Sequence, residues 1–79
     1  METAFVLLSC DLGSESDVIK ELKHIESVKE TDETFGAYDI IAKIESSKKK
    51  RLKEIINLNI RKIDHVRSTL TLMGIQEQN

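Results

Sequence analysis

A nearly continuous apolar segment in the middle of the chain is the feature that most restricts its fold. The segment Ile40–Ile44 reads Ile-Ile-Ala-Lys-Ile and directly follows the turn-like sequence Gly36-Ala37-Tyr38-Asp39. A strand that is apolar on both faces needs cover on both faces. Because a chain of 79 residues has enough helix to cover one face, the pattern predicts a partner on the other, most simply a second copy.

The size of the chain leads to the same expectation. We predict that residues 1–79 form a single domain, and a domain of this size buries only about 60% of the surface that its unfolded chain exposes. Disulfides, metals and oligomerisation are the usual sources of extra stability. The single cysteine, Cys10, excludes an intrachain disulfide, and no CxxC motif is present. Oligomerisation is therefore the predicted source of the extra stability.

Charge and hydropathy argue against several classes of partner. The chain has 12 basic and 14 acidic residues, so its net charge of −2 is not the electrostatic pattern of a nucleic-acid-binding protein. No apolar run approaches membrane-spanning length, and the N-terminal residues lack the basic region of a signal peptide. We expect a cytoplasmic protein with no direct nucleic-acid or membrane partner.

The hydrophobic periodicity predicts four strands and two helices in the order βαββαβ. The strands are predicted at 4–10, 28–34, 38–44 and 66–73, and the helices at 16–24 and 48–60. Ser14 and Asp17 are predicted to form a capping box for the first helix, and Ser46-Ser47 to cap the second. Right-handed crossovers then give the sheet order 4-1-3-2 with both helices on one face. This is an α+β fold, the ferredoxin-like plait.

This fold leaves one face of the sheet without helices. Alternating apolar residues in strands 1 and 3 supply one set for the helices and another for the bare face. The last strand adds either Thr69 and Thr71 or Leu70 and Leu72 to the bare face. A bare apolar sheet is a predicted interface, and covering it with a second copy gives a sheet-to-sheet dimer, a dimeric α+β barrel.

Two motifs in register resemble a known family. They are G-x-Y-D at Gly36–Asp39 and I-x-x-I-x-x-V-x-x-T-x-T over residues 60–71. With the βαββαβ spacing, they resemble the effector-binding RAM domain of Lrp/AsnC (feast/famine) transcription regulators, over about residues 3–74. The resemblance implies dimers that assemble through their sheet faces into a ring of dimers, with an amino-acid-type effector bound between dimers.

The resemblance also implies which positions hold the effector. They are Gly36, Ala37, Tyr38, Asp39, Thr69 and Thr71. The chemistry suits an amino acid, because N–H groups at a glycine turn can bind a carboxylate, Asp39 can pair with an ammonium, and threonine hydroxyls can donate and accept. Gly36, Tyr38 and the two threonines also have a structural interpretation, as a turn glycine, an interface aromatic and strand-forming residues. Asp39 within an apolar strand is better explained by pairing with a ligand or with another subunit, because a buried carboxylate needs a partner.

The chain departs from the family pattern in two places. Regulators of this family carry an N-terminal helix-turn-helix domain, whereas here the first predicted strand begins three residues after Met1. We expect a stand-alone RAM domain without its own DNA-binding domain, which acts by joining a DNA-binding Lrp/AsnC relative in a mixed oligomer. His65 occupies a position where the family usually has glycine, in a tight helix-to-strand turn.

Two other groups of residues invite a functional interpretation. Cys10 and His65 are predicted at the same end of the sheet, where a thiolate and an imidazole could hold zinc or copper; a buried cysteine and a surface histidine explain them equally well. The basic run Lys48–Arg51 opposes the dipole of the second helix. It is either a solvated turn or a contact for an anion.

No arrangement of residues typical of catalysis or of cofactor binding is present, so we expect neither an enzyme nor a cofactor. The predicted function is an amino-acid-binding and oligomerisation module linked to transcription regulation. An ACT-like module acting on an enzyme and a small metal-binding oligomer remain alternatives. An RNA-binding sheet would need a pattern of exposed aromatic residues on strands 1 and 3 that Phe5 and Tyr38 alone do not supply. A cofactor-free monooxygenase would need an open pocket where Phe5, Leu7 and Ile41 are expected.

Overall fold

The computed structural model describes residues 1–74 as two helices on one face of a four-stranded antiparallel sheet. The strands are β1 (Glu2–Cys10), β2 (Val28–Glu33), β3 (Ile40–Ser46) and β4 (Val66–Met73), and the helices are α1 (Glu15–Lys23) and α2 (Lys49–Ile55), which a π-helical turn (Ile56–Ile60) continues. The sheet order β2-β3-β1-β4 confirms the predicted ferredoxin-like plait. No helix in the described part of the chain is long and apolar enough to cross a membrane.

The core lies between the sheet and the helices. Ala4, Val6 and Leu8 alternate along β1 and are fully buried, and β1 pairs with β3 so that the partner of Leu8 is Ile40. The helical layer and the rest of β3 supply the remaining fully buried side chains: Val18, Leu22, Ala42, Ile44, Leu52 and Ile60. Because side chains alternate along each strand, the buried residues form one face of the sheet, and the strand residues between them lie on the opposite face.

The pairing of β1 with β4 decides which residues lie on the bare face. Val6 pairs with Thr71 and Leu8 pairs with Thr69, so both threonines share the helix side of the sheet. Leu70 and Leu72 therefore lie on the bare face. This resolves the two alternatives that the sequence left open.

The predicted capping box at the first helix is wrong. Ser14 precedes α1 with φ −101° and ψ 4° and makes no side-chain capping bond. Its hydroxyl donates instead to the backbone oxygen of Asp11 at 2.5 Å, because the chain turns back tightly after β1. The carboxylate of Glu15 accepts from the N–H of Gly13 at 3.0 Å, which closes the same turn.

The predicted cap of the second helix is also wrong, because β3 continues through Ser46. Lys48 is the residue that precedes α2, with an extended backbone and no side-chain capping bond. Lysine has no acceptor atom in its side chain, so it cannot satisfy the first N–H groups of the helix.

The second helix is not α-helical as far as residue 60. It widens into a π-helical turn at Ile56–Ile60, and the N–H of Arg61 donates to the oxygen of Ile56 at 2.9 Å. The helix predicted over residues 48–60 includes both Asn59 and Ile60. The wide turn brings Ile60 into the core and leaves Asn59 exposed, which avoids burying an amide.

Candidate functional site

The connection between β2 and β3 places the Gly36–Asp39 motif at one end of the sheet. Thr34 closes it: its N–H donates to the oxygen of Asp39 at 2.9 Å, and its hydroxyl donates to the oxygen of Tyr38 at 2.7 Å. Gly36 has φ +113°, and a Cβ atom there would meet nothing within 4 Å. Glycine is therefore required by the backbone conformation rather than by lack of space. Gly36 and Ala37 are exposed, and Tyr38 is half-buried.

Asp39 has a structural role that the sequence did not reveal. Its N–H donates to the oxygen of Leu8 at 2.8 Å, and its Oδ2 atom accepts from the N–H of Cys10 at 2.9 Å. Because β3 begins only at Ile40, the N–H of Cys10 lies beyond the end of that strand, and the Asp39 carboxylate serves as its acceptor in place of a backbone oxygen. This bond accounts for an acidic residue beside an apolar strand and leaves further lone pairs of the carboxylate for a ligand.

Thr69 and Thr71 lie on the outer strand β4, and both are half-buried. Thr71 lines a cavity of about 320 Å³ between the second helix and β4. Its other lining residues are Lys53, Ile56, Asn57 and Met73. A hydroxyl at the rim of a partly apolar cavity is a reasonable contact for a small ligand.

One chain does not bring the two halves of the predicted effector site together. β1 separates β3 from β4, and Thr71 pairs with Val6, whereas Ile40, next to Asp39, pairs with Leu8. Two strand spacings across and three residues along the sheet put the Cα atoms of Asp39 and Thr71 roughly 14 Å apart. A small amino acid therefore does not span the distance from Asp39 to Thr71 within one chain.

The bare face of the sheet exposes a group of large apolar side chains. Phe5 is 39% exposed, Leu70 44% and Leu72 51%. Leu7 and Ile41 lie between them and are half-buried. Contiguous apolar surface of this kind is typical of an interaction site. We refer to these five side chains as the bare apolar face.

Charged residues border the bare apolar face along β2 and β3. Glu30 pairs with Lys43, and Asp32 pairs with Ile41. The nitrogen of Lys43 also lies 3.9 Å from a carboxylate oxygen of Glu45. An apolar centre with a polar border is the usual composition of a protein interface.

Cys10 and His65 lie at the same end of the sheet, as the sequence predicted, but they differ in environment. Cys10 is only 6% exposed, and burial raises the pKa of its thiol, an effect that a hydrogen bond with Ser14 partly opposes. His65 is exposed. In residues 1–74 no group of three or more His, Cys, Asp or Glu side chains is placed to hold a metal ion. The metal site at Cys10 and His65 stays a prediction.

The sequence did not identify the partner of His65, which is Asp11. His65 Nδ1 lies 3.2 Å from Asp11 Oδ2, and the N–H of Asp11 donates to the oxygen of His65 at 2.9 Å. His65 has φ +76°, the left-handed conformation that glycine adopts without strain. The position of His65 in a tight turn before a strand was the sequence signal for this backbone conformation.

The basic run Lys48–Arg51 is exposed at the opposite end of the sheet from the Gly36–Asp39 motif. Arg51 lies 3.7 Å from the carboxylate of Glu54. The first turn of α2 contains no acidic residue, so the remaining cations of the run extend into solvent. Exposed cations fit both interpretations of this run, a solvated turn and a contact for an anion.

Comparison with known proteins assigns the family. A family model described as the Lrp/AsnC ligand binding domain matches residues 3–77. A search of curated proteins finds no match. The crystal structure of FFRP-DM1 is 36% identical over 95% of this chain and 100% of that one, with a TM-score of 0.90. The hypothetical protein PHS023 from Pyrococcus horikoshii is 36% identical over 98% and 93%, with a TM-score of 0.88.

A more distant structure shares the fold. It is a feast or famine regulatory protein from M. tuberculosis, complexed with L-methionine, which is 22% identical with a TM-score of 0.79. The match covers 98% of this chain but 52% of that regulator. The extent of the family match and the two structures at 36% identity show that the chain belongs to the Lrp/AsnC ligand-binding domain family.

Proposed function

We propose that this protein binds an amino-acid-type effector between copies of itself and that its function is regulatory rather than catalytic. The observation that carries the proposal is the separation of Asp39 from Thr71 across β1. A ligand that uses both halves of the predicted site links two copies, so its binding changes the assembly.

The chemistry of the Gly36–Asp39 turn suits the common head group of amino acids. The carboxylate of Asp39 has acceptor capacity beyond its bond to Cys10 and pairs with the ammonium. The exposed backbone of Gly36 and Ala37 faces the ligand carboxylate, and Thr69 and Thr71 of a second copy complete the contacts. The L-methionine complex of the M. tuberculosis regulator supports this ligand class.

Assembly has two levels in this proposal. The bare apolar face forms a sheet-to-sheet dimer, because burial of apolar surface is the main driving force of association. Dimers then associate into a ring through the effector sites. An effector that binds one assembly better than another shifts the population toward it, and a mixed oligomer with a DNA-binding relative would carry this signal to transcription.

Substitution of Asp39 by asparagine tests the effector site. The amide oxygen of asparagine can still accept from the N–H of Cys10, so D39N removes the charge while keeping the structural bond. Glu26→Gln is the matched control, because it removes a charge from the exposed connection between α1 and β2, away from the motif and from the bare apolar face. Binding of the twenty L-amino acids is measured by calorimetry and by the shift in melting temperature.

We expect at least one amino acid to bind wild type and E26Q equally and to bind D39N about tenfold or more weakly, the effect of losing one charge-assisted hydrogen bond. Light scattering after size exclusion should show a change in mass with the same amino acid. Equal binding to D39N, or no binding of any amino acid to the wild type, would contradict the proposed site.

Affinity purification then tests the link to transcription. A DNA-binding Lrp/AsnC protein recovered with the tagged chain would support a mixed oligomer. Recovery of an enzyme instead, with activity that changes when the chain is added, would favour the ACT-like alternative and contradict a role in transcription.

A further inference from the structure

A groove beside the first helix is separate from the proposed effector site. It has a volume of about 510 Å³ and lies between α1 and the connection from the π-helical turn to β4. Asp17, Lys20 and Glu21 form the α1 wall, with the three- and four-residue spacing that puts side chains on one helix face. The groove shares no residue with the Gly36–Asp39 motif or with Thr69 and Thr71.

The opposite wall ends at a residue with a left-handed backbone conformation. His65 lines the groove and is the one residue other than glycine with a positive φ in residues 1–74. The left-handed conformation is unfavourable for a residue with a side chain, and such strain is concentrated at functional positions. A histidine at a position that glycine would occupy without strain suggests that the imidazole itself has a role.

The contact with Asp11 determines the chemistry of that imidazole. An ionised carboxylate only accepts hydrogen bonds, so the neutral tautomer that bonds to Asp11 over 3.2 Å has its proton on Nδ1 of His65. In the neutral ring the other nitrogen, Nε2, is then an acceptor. Since Nδ1 contacts Asp11, Nε2 is the ring nitrogen that a ligand in the groove can use.

The rest of the groove lining is also rich in acceptors. Besides His65 it has three carboxylates, an amide and two ammonium groups; the carboxylates are Asp17, Glu21 and Asp64, the amide is Asn59, and the ammonium groups are Lys20 and Lys62. Acceptors and negative charge therefore predominate. Because no three His, Cys, Asp or Glu side chains among residues 1–74 converge as metal ligands, a hydrogen-bond donor suits the groove better than a metal ion.

We propose that this groove binds a small molecule through a primary ammonium group, which donates to Nε2 of His65 and to the surrounding carboxylates. A primary ammonium has three donors and a positive charge, which matches several acceptors around one position. Lys20 and Lys62 can in addition hold a carboxylate of the same molecule. The ammonium group is the shared requirement, whether it comes from a simple amine or from an amino acid.

Nuclear magnetic resonance of the histidine ring nitrogens tests this proposal on the ¹⁵N-labelled protein. The free protein should show His65 with the proton on Nδ1. Three probes are then titrated: ethylamine, acetate and L-alanine, which combines the ethylamine skeleton with a carboxylate. We expect ethylamine and L-alanine to shift Nε2 of His65, and acetate alone to leave it in place.

Two substitutions that suit a positive φ keep the test independent of folding. His65→Gly and His65→Asn both tolerate the left-handed conformation, and both remove the Nε2 acceptor. Each should weaken ethylamine binding, followed through the amide resonances of Glu21 and Asp64, at least about threefold, the effect of one net hydrogen bond. His24→Gln, at the far end of α1, is the matched control and should bind as the wild type does.

The proposal is overturned if no probe shifts His65, if acetate alone binds, or if both His65 variants bind ethylamine as tightly as wild type. Stronger binding of L-alanine than of ethylamine would assign the groove to amino acids, and equal binding would assign it to simple amines. The D39N variant keeps this groove intact, so failure of the effector site between copies and failure of this groove are separate results.

Discussion

Replacing Leu70 with serine should weaken self-association through the bare apolar face. Full burial of a leucine side chain is worth about 1.5–3 kcal/mol, and Leu70 is 44% exposed in the single chain, so covering the remainder contributes about 1 kcal/mol. A two-fold contact uses the residue twice, which gives about 2 kcal/mol, or roughly a 30-fold increase in the dimer dissociation constant. Leu70→Asp should have a larger effect, because the interface would then bury a charge.

Sedimentation equilibrium over a dilution series measures this dissociation constant directly. Leu58→Ser is the matched control, since Leu58 is 58% exposed but lies in the π-helical turn on the helix side of the sheet. The melting temperature of the variants at low concentration separates a loss of association from a loss of folding. Equal dissociation constants for wild type, L70S and L58S, or a wild type that stays monomeric throughout, would refute the reasoning.

Four further predictions concern single residues. His65→Gly should change the free energy of unfolding in urea by less than about 1 kcal/mol, because relief of the positive φ offsets the lost contact with Asp11. His65→Val should lower the free energy of unfolding by about 2 kcal/mol, since a β-branched residue fits this conformation poorly. Equal effects of the two substitutions would contradict the strain argument. Gly36→Ala should lower stability by about 1 kcal/mol in the same assay through its φ of +113° alone, as the space for a Cβ is open; no loss would mean that the turn relaxes. Asp39→Ala should cost about 1–3 kcal/mol, because it leaves the N–H of Cys10 without its acceptor, whereas Asp39→Asn should cost less; equal losses would contradict the structural role. Burial raises the pKa of the Cys10 thiol in the folded state. The contribution of the protonated thiol to stability is therefore present below the unfolded pKa of about 8.5 and is lost as pH rises through the folded pKa. Unfolding curves from pH 8 upward should show this loss of stability, and Cys10→Ala should make the loss smaller.

The strands and their order could be predicted because the apolar pattern and the crossover rule leave few alternatives. Val66–Met73 matches its predicted bounds, while the other elements differ by one to a few residues at their ends. The choice between Thr71 and Leu70 for the bare face could not be made from alternation alone. It depends on the register of β4 against β1, which a shift of one residue would invert.

The helix caps could not be predicted, because a serine near a helix start has several backbone partners within reach. Ser14 bonds to Asp11 across the turn rather than to the helix. Two roles of the candidate sites were equally hidden: the bond from Cys10 to Asp39 joins residues 29 positions apart, and the bond between His65 and Asp11 joins residues 54 apart. Contacts this distant in sequence follow from the assembled sheet and leave no local pattern.

The π-helical turn has a consequence for how chains of this kind can differ in length. A turn closed by a bond from residue 61 to residue 56 holds one residue more than an α-helical turn. Ile60 is nevertheless buried, and β4 begins where it pairs with β1, so the surplus residue is absorbed within the turn. Deleting one of the exposed residues Asn57, Leu58 or Asn59 should therefore yield an ordinary α-helix with the sheet unchanged, and relatives that are one residue shorter here are correctly aligned with their gap in this turn.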